Sequence, residues 1–202
     1  MSKFKISRHI TGVILAGGRG SRMGGLDKGL VKLNEQYIIE HAITALRPQV
    51  SRLLISANRN LDQYAQLCDC PVVTDTFGHY EGPLAGMAAA LAQVQTDYVL
   101  FVPCDSPFIS SQLVERLYTG LIQVNADVSV ADDGERIHPV FSLFKRKLLA
   151  NLRAFLQTGD RRVHRFITQQ SLARVDFSDI SHTLLNVNTI EDIIALNLKT
   201  KK

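Results

Sequence analysis

The 202-residue chain has no tryptophan and only three cysteines, Cys68, Cys70 and Cys104. No apolar run approaches the roughly 20 residues that cross a bilayer, so no membrane association is expected. The basic opening MSKFKISRH is followed by neither an apolar segment nor a small-residue cleavage site. It reads as a lead-in to a first strand, and the protein as cytoplasmic. An odd cysteine count without a secretory signal argues against a disulfide framework. Cys68-Asp69-Cys70 has the wrong spacing for a zinc knuckle, and no second pair exists. Cys104 has no evident histidine to activate it and reads as a small packing residue behind a site. Without tryptophan, and with no basic stretch interleaved with aromatics, a nucleic-acid groove is not expected. No linker rich in proline, glycine or serine divides the chain, and no repeat is present.

Two common phosphate-binding patterns are missing as well. No Gly-Lys-Ser/Thr occurs in the glycine-rich stretch behind the first strand, which excludes the P-loop. The dinucleotide pattern G-x-G-x-x-G starts at Gly18 and Gly20, but its third place falls on Met23, with Gly24 one residue late.

What is present is ordinary for a globular domain: 46% hydrophobic and 21% charged residues. The formal charge of +4 is mild and suits small polyanionic substrates. Short β-branched runs alternate with helical patterns. Strands are expected at Thr11–Leu15, Arg52–Ala57, Val72–Thr74, Tyr98–Val102, Asp127–Ala131, His138–Phe144 and Leu172–Asp176. Helices are expected at Tyr37–Leu46, Leu61–Leu67, Leu84–Val94, Ser110–Gln123, Arg146–Leu156, Arg161–Ile167 and Thr189–Asn197. Ser110 or Ser111 would cap the fourth helix, and Thr189 with Asp192 would form a capping box on the last. The alternation predicts one α/β domain: a mostly parallel twisted sheet with helices on both faces, Rossmann-like in layout. The domain divides into a first part of about residues 1–130 and a second of about 131–202. Ligands of such sheets sit at the carboxyl ends of the strands. The loop behind Leu15 and the loop behind Val102 would then open onto one crevice.

The first of these loops, LAGGRGSRMGGLDK from Leu15 to Lys28, is the densest signal. Its five glycines leave backbone N–H groups unshielded, while Arg19, Arg22 and Lys28 add positive charge. Such a loop reads as a triphosphate cradle. Arg22 is either a phosphate clamp or an arginine holding loop carbonyls. Lys28, a compact ammonium, is the candidate for neutralising charge on phosphate oxygens. Asp27 would position the lysine or the loop backbone. In the second loop, Asp105 follows the apolar run Tyr98-Val99-Leu100-Phe101-Val102. A carboxylate just past a strand buried on both faces is costly unless a cation compensates it. It lies too far upstream to cap the helix near Ser110. This makes Asp105 the candidate ligand for Mg²⁺, which takes one or two carboxylates plus phosphate oxygens and water.

Leu15-Ala16-Gly17-Gly18-x-Gly20-Ser21-Arg22-Met23-Gly24-Gly25-x-Asp27-Lys28 resembles the signature loop of nucleotidyltransferases that join a nucleoside triphosphate to a phosphorylated acceptor. Asp75, Glu81-Gly82-Pro83-Leu84-Ala85-Gly86, Pro103-Cys104-Asp105-Ser106-Pro107, His138-Pro139, Gly159-Asp160-Arg161-Arg162-Val163 and Asn186-Val187-Asn188-Thr189 follow in order. Together they are most similar to the molybdenum cofactor guanylyltransferases, over nearly the whole chain. That resemblance implies transfer of GMP from GTP to the molybdopterin phosphate, with release of pyrophosphate and with Mg²⁺ as cofactor. It also implies partners among other proteins of molybdenum cofactor biosynthesis or chaperones of apo-molybdoenzymes. By the same resemblance Leu15, Ala16, Gly17, Gly18, Lys28, Asp75 and Asp105 bind GTP. Family members often carry asparagine where this chain has Ser56, which keeps a single hydrogen bond at most. Glycine at 17 or 18, where related cytidylyltransferases carry alanine, leaves room for a purine. Arg161, Arg162, Asn186, Asn188 and His138 would surround the acceptor, so that the resemblance implies a nucleotide-binding part of about residues 1–130 and an acceptor-binding part of about 131–202. Adjacent helical residues diverge, so only one of the two arginines would reach it, whereas alternate residues 186 and 188 on an extended segment would face one side. His138 is equally a satisfied loop histidine, and the asparagines equally hold a turn. Two other readings stand beside this one: a related transferase using CTP or another phosphorylated acceptor, and a non-catalytic nucleotide-binding module.

Overall fold

The structure, a computed structural model, describes residues 6–18, 25–75 and 82–199. In chain order the strands are β1 (Ile10–Leu15), β2 (Lys32–Leu33), β3 (Gln36–Tyr37), β4 (Arg52–Ser56), β5 (Val72–Val73), β6 (Tyr98–Pro103), β7 (Val128–Asp132), β8 (Ile137–Lys145) and β9 (Leu172–Asp176). The helices are α1 (Ile38–Leu46), α2 (Leu61–Cys68), α3 (Pro83–Gln93), α4 (Leu113–Gln123), α5 (Leu149–Gln157), α6 (Val163–Ile167) and α7 (Ile190–Lys199).

Seven strands make one sheet in the order β5-β4-β1-β6-β8-β7-β9. All neighbours run parallel except β8, which is antiparallel to both β6 and β7. The uninterrupted apolar run of β6 is explained by burial on both faces. Leu100 and Val102 pack with α1, α2 and α4 on one side, while Val99 and Phe101 pack with α3, α5 and α6 on the other. No helix among the described residues is long and apolar enough to cross a membrane.

Register decides what the crevice contains. Leu15 stands level with Ser56 on one side and Pro103 on the other, and Ser56 stands level with Val73. The four chain segments that leave β1, β4, β5 and β6 therefore emerge along one edge. Earlier strands lie to one side of β1 and later ones to the other, so the β1/β6 boundary is the switch point where neighbouring loops diverge. Cys104 N–H still donates to Leu15 O at 3.1 Å, and Ala16 N–H to Ser56 O at 2.7 Å, which ties the loops together at their roots.

Three local expectations change. The helix expected from Ser110 begins at Leu113. Ser110 Oγ accepts from Gln112 N–H one turn earlier, and the side chain of Gln49, far off in sequence, accepts the buried N–H of Val114. Cys68 and Cys70 are disulfide-linked, against the reading from cysteine count. Asp69, in the left-handed region at φ 49°, ends α2 and turns the second cysteine back toward the first. The β2–β3 hairpin was not foreseen, because its turn places Asn34 and Glu35 at positive φ, and glutamate is not a residue that announces such a turn. The capping box forms as expected. Asp192 N–H donates to Thr189 Oγ1, and the Asp192 carboxylate accepts from the N–H groups of Thr189 and Asn188, which hold it below the usual carboxylate range.

Candidate active site

A crevice opens at the carboxyl ends of β1, β4, β5 and β6. It is lined by Leu15, Ala16, Gly17, Gly18, Asp27, Lys28, Ser56, Asn58, Asp75, Gly82, Pro83, Gly86, Pro103, Cys104, Asp105, Val140 and Asn186. Two loops separated by 77 residues thus meet, as the parallel topology requires. Among the described residues, a Cβ added at Gly18 would touch nothing within 4 Å, and one at Gly17 would make only ordinary contact with Asn58 Nδ2 at 3.6 Å. Protein packing does not demand glycine at either place; the bare backbone faces open space. Arg19 and Arg22 lie outside the described residues.

Lys28 Nζ donates to Asp105 Oδ2 at 2.9 Å and to Asn188 Oδ1 at 2.7 Å. The Asp105 side chain is 10% exposed and the Lys28 side chain 23%. Asp105 Oδ1 is buried and has no hydrogen-bond partner among the described residues. An unsatisfied buried carboxylate oxygen is costly, and it is the feature a cation would satisfy. Among the described residues no three His, Cys, Asp or Glu side chains form a group that could hold a metal ion, and Asp105 is the carboxylate of this loop that could contribute to holding one.

The segment before α7 docks on this loop. Val187 N–H donates to Asp105 O at 2.8 Å, Ser106 Oγ donates to Asn186 Oδ1 at 2.9 Å, and Asn188 reaches Lys28. Asn186 and Asn188 are thus each anchored by a side-chain hydrogen bond, to Ser106 and to Lys28.

On the opposite wall Asn58 clasps Asp75. Its Nδ2 donates to Asp75 Oδ2, and its Oδ1 accepts the Asp75 N–H at 3.1 Å. The remaining oxygen, Oδ1, has no partner among the described residues. Asn58 is a crevice residue that the sequence analysis did not count among the nucleotide contacts; its signal is an amide two residues beyond a strand whose end faces the crevice. Ser56 is 4% exposed, and a Cβ at Gly86 would come within 2.5 Å of its Oγ. Glycine at 86 is what lets α3 lie against the end of β4.

The expected acceptor cations are placed differently. Arg162 forms a paired contact with Asp160 at 3.0 and 2.6 Å, Arg165 adds a third at 2.8 Å, and together they hold the Asp160 carboxyl well below its usual range. Arg161 donates to the carbonyls of Leu156 and Asp160, while its own carbonyl lies 3.9 Å from the Cβ position of Gly82 at the crevice rim. His138 Nε2 sits 2.5 Å from Asp133 Oδ2 in the β7–β8 hairpin and does not line the crevice, which is the loop-histidine alternative. Cys104 is buried and its thiol is pushed up, first by desolvation and then by Asp105 and Asp27, so it is not a nucleophile.

The MobA-like NTP transferase domain matches residues 12–175. A protein of Vibrio cholerae named molybdenum cofactor guanylyltransferase is 47% identical over 181 residues, covering 90% of this chain and 88% of its own. One of the same name from Shewanella loihica is 45% identical over 186 residues, covering 92% and 94%. Among solved structures, molybdopterin-guanine dinucleotide biosynthesis protein A from Archaeoglobus fulgidus superposes with a TM-score of 0.78 at 20% identity, covering 95% of this chain and all of that one. A 4-diphosphocytidyl-2C-methyl-D-erythritol synthase from Anaerococcus prevotii reaches 0.72 at 14% identity, over 97% of this chain and all of that one. The fold is thus shared by proteins whose names point to different nucleotides.

Proposed function

The chain belongs to the MobA-like NTP transferases and, within them, to the molybdenum cofactor guanylyltransferases, and on that premise we propose how its residues perform GMP transfer from GTP to the phosphate of molybdopterin. The observation that carries the proposal is the Lys28–Asp105 contact with Asp105 Oδ1 unsatisfied beside it. The two carboxylate oxygens have separate tasks. Oδ2 holds the ammonium of Lys28, and Oδ1 would hold a divalent cation such as Mg²⁺. Bound there, the cation supplies charge neutralisation at the triphosphate.

The backbone of Leu15–Gly18 lies along the phosphates, where N–H donors are worth most in a site with little water. Lys28 follows the charge that builds on the phosphate oxygens as the acceptor phosphate attacks the α-phosphorus in line and pyrophosphate leaves. The acceptor is itself the nucleophile, so no side chain need form a covalent intermediate. We assign the nucleotide to the half of the crevice built by residues 1–130. The acceptor approaches from the side of Asn186, Asn188 and the Gly159–Val163 segment. A GTP-dependent reaction of this kind belongs in the cytoplasm.

Asp75 supplies a basis for choosing guanine. A carboxylate only accepts hydrogen bonds. Guanine presents two adjacent donors, N1–H and the N2 amino group, on its pairing edge. Cytosine and adenine each set a ring acceptor beside their amino donor, and uracil flanks its one donor with carbonyls. Ser56 at the end of β4 lies beside the same pocket. Purified protein supplied with molybdopterin, Mg²⁺ and each of the four triphosphates in turn is expected to release pyrophosphate with GTP alone. Equal release with CTP, or release that ignores molybdopterin, would reject the assignment. In the same assay Asp75→Ala lowers kcat/KM for GTP by about tenfold to a hundredfold, the range of one bidentate base contact. An unchanged GTP preference in that variant removes Asp75 from base selection.

A further inference from the structure

Tyr64 is fully buried beneath the crevice and does not line it. Its hydroxyl donates to Asp27 Oδ1 at 2.5 Å. Asn60 Nδ2 donates to Asp27 Oδ2 at 2.9 Å, and Arg59 Nε lies 3.3 Å from the same oxygen. The Arg59 guanidinium extends to the carbonyls of Gly25 and Leu26, at 2.9 and 3.0 Å. The start of α2 thereby grips three consecutive residues, 25–27, immediately ahead of Lys28. Gly29 follows it: a Cβ there would sit 2.7 Å from Tyr64 Oη and 3.4 Å from the Cβ of Cys104, the neighbour of Asp105. The Tyr64 hydroxyl is therefore wedged between the residues on either side of Lys28, where their loop touches the loop of Asp105.

We propose that Tyr64 is a positioning residue for nucleotidyl transfer, a strut whose hydroxyl, seated between Asp27 and Gly29, sets the approach of Lys28 to Asp105. This rests on the transferase reading above. The ring is locked by the core, and the Asp27 side chain, only 6% exposed, is held by three groups at once. Burial keeps the Tyr64 phenol far above its ordinary pKa, so it remains a donor throughout the working range. The lysine stem is flexible, but its root is fixed to the bottom of the same pocket that fixes the root of Asp105. A displacement of about 1 Å between reacting and stabilising groups costs on the order of a hundredfold in rate.

The test compares Tyr64→Phe, Gly29→Ala and the double variant by pyrophosphate release, with Tm measured for each. Tyr64→Phe keeps the ring and loses the hydroxyl; kcat is expected to fall about tenfold, with KM for GTP changing less than about threefold, because the loss is felt in the transition state. Gly29→Ala places a methyl 2.7 Å from the hydroxyl and loses more. Adding Tyr64→Phe removes that oxygen, so the double variant regains about tenfold over Gly29→Ala alone, a coupling that independent sites do not show. Wild-type kcat in Tyr64→Phe, whatever its Tm, would overturn the strut, and so would two losses that simply multiply. If the wild-type protein does not turn over GTP, the transferase reading fails by itself. The same variants are then compared by calorimetric binding of GTP with Mg²⁺. Affinity lost in Gly29→Ala and regained in the double variant upholds the strut; multiplied losses overturn it.

Discussion

Asp105→Asn lowers pyrophosphate release from GTP by about a hundredfold or more, the scale on which removing one preorganised electrostatic stabiliser acts. The asparagine keeps the volume of the carboxylate and leaves the backbone contact to Val187 in place, so the chain is expected to fold. What changes is charge. One oxygen becomes an amide nitrogen that only donates. Turned toward Lys28 it meets an ammonium that also only donates, and turned the other way it meets the cation that Oδ1 is proposed to hold. Neither orientation serves both partners. Asp105→Ala is expected to lose as much, without the ambiguity of amide orientation. Raising Mg²⁺ does not rescue either variant, because the anchor and not the supply of metal is missing. Turnover close to wild type at saturating GTP would reject Asp105 as the metal anchor.

Lys28→Ala weakens GTP binding as well as the rate. A hydrogen bond to a charged group contributes about 1.5–3 kcal/mol net, so Kd measured by calorimetry is expected to rise by roughly ten- to a hundredfold. The ammonium touches ground-state phosphates and the charge that develops on them, so kcat falls too. The variant also strips Asp105 of its cationic partner and leaves a nearly buried carboxylate with no side-chain donor on either oxygen. Stability therefore falls, by less than for a fully buried pair because Lys28 is 23% exposed. Binding should be compared well below the lowered Tm. Lys28→Arg keeps the charge but replaces a point ammonium with a broad planar fork, and recovers the rate only in part. Unchanged affinity in Lys28→Ala would remove this lysine from the triphosphate cradle.

Much of the site was legible before any coordinates. An apolar run of strand length ending in Pro-Cys-Asp, and a second strand ending in a glycine- and cation-rich loop, imply by parallel topology that both loops share an edge. The register of Leu15 with Pro103 bears this out. Asn186 and Asn188, alternate residues on an extended segment, hydrogen-bond to Ser106 and Lys28 of the two loops. Single-residue expectations fared differently. His138, one of the acceptor candidates, pairs with Asp133 instead. The two arginines after Gly159 divide between helix carbonyls and Asp160. A histidine or arginine in a sequence shows its chemistry but not its partner, and these partners are supplied by the fold.

The amino-acid order by itself determined the alternation of strands and helices, the buried central strand and the two loops at its edge, because side-chain periodicity and glycine content act locally on the backbone. Only the tertiary structure decided which side chains meet: Lys28 with Asp105 and Asn188, Asn58 with Asp75, Tyr64 with Asp27 and Gly29. Those contacts join residues 17 to 160 positions apart, apart from the immediate neighbours of the loop itself. Each depends on strand register and helix placement, which arise from packing the whole core and are not encoded at any one position.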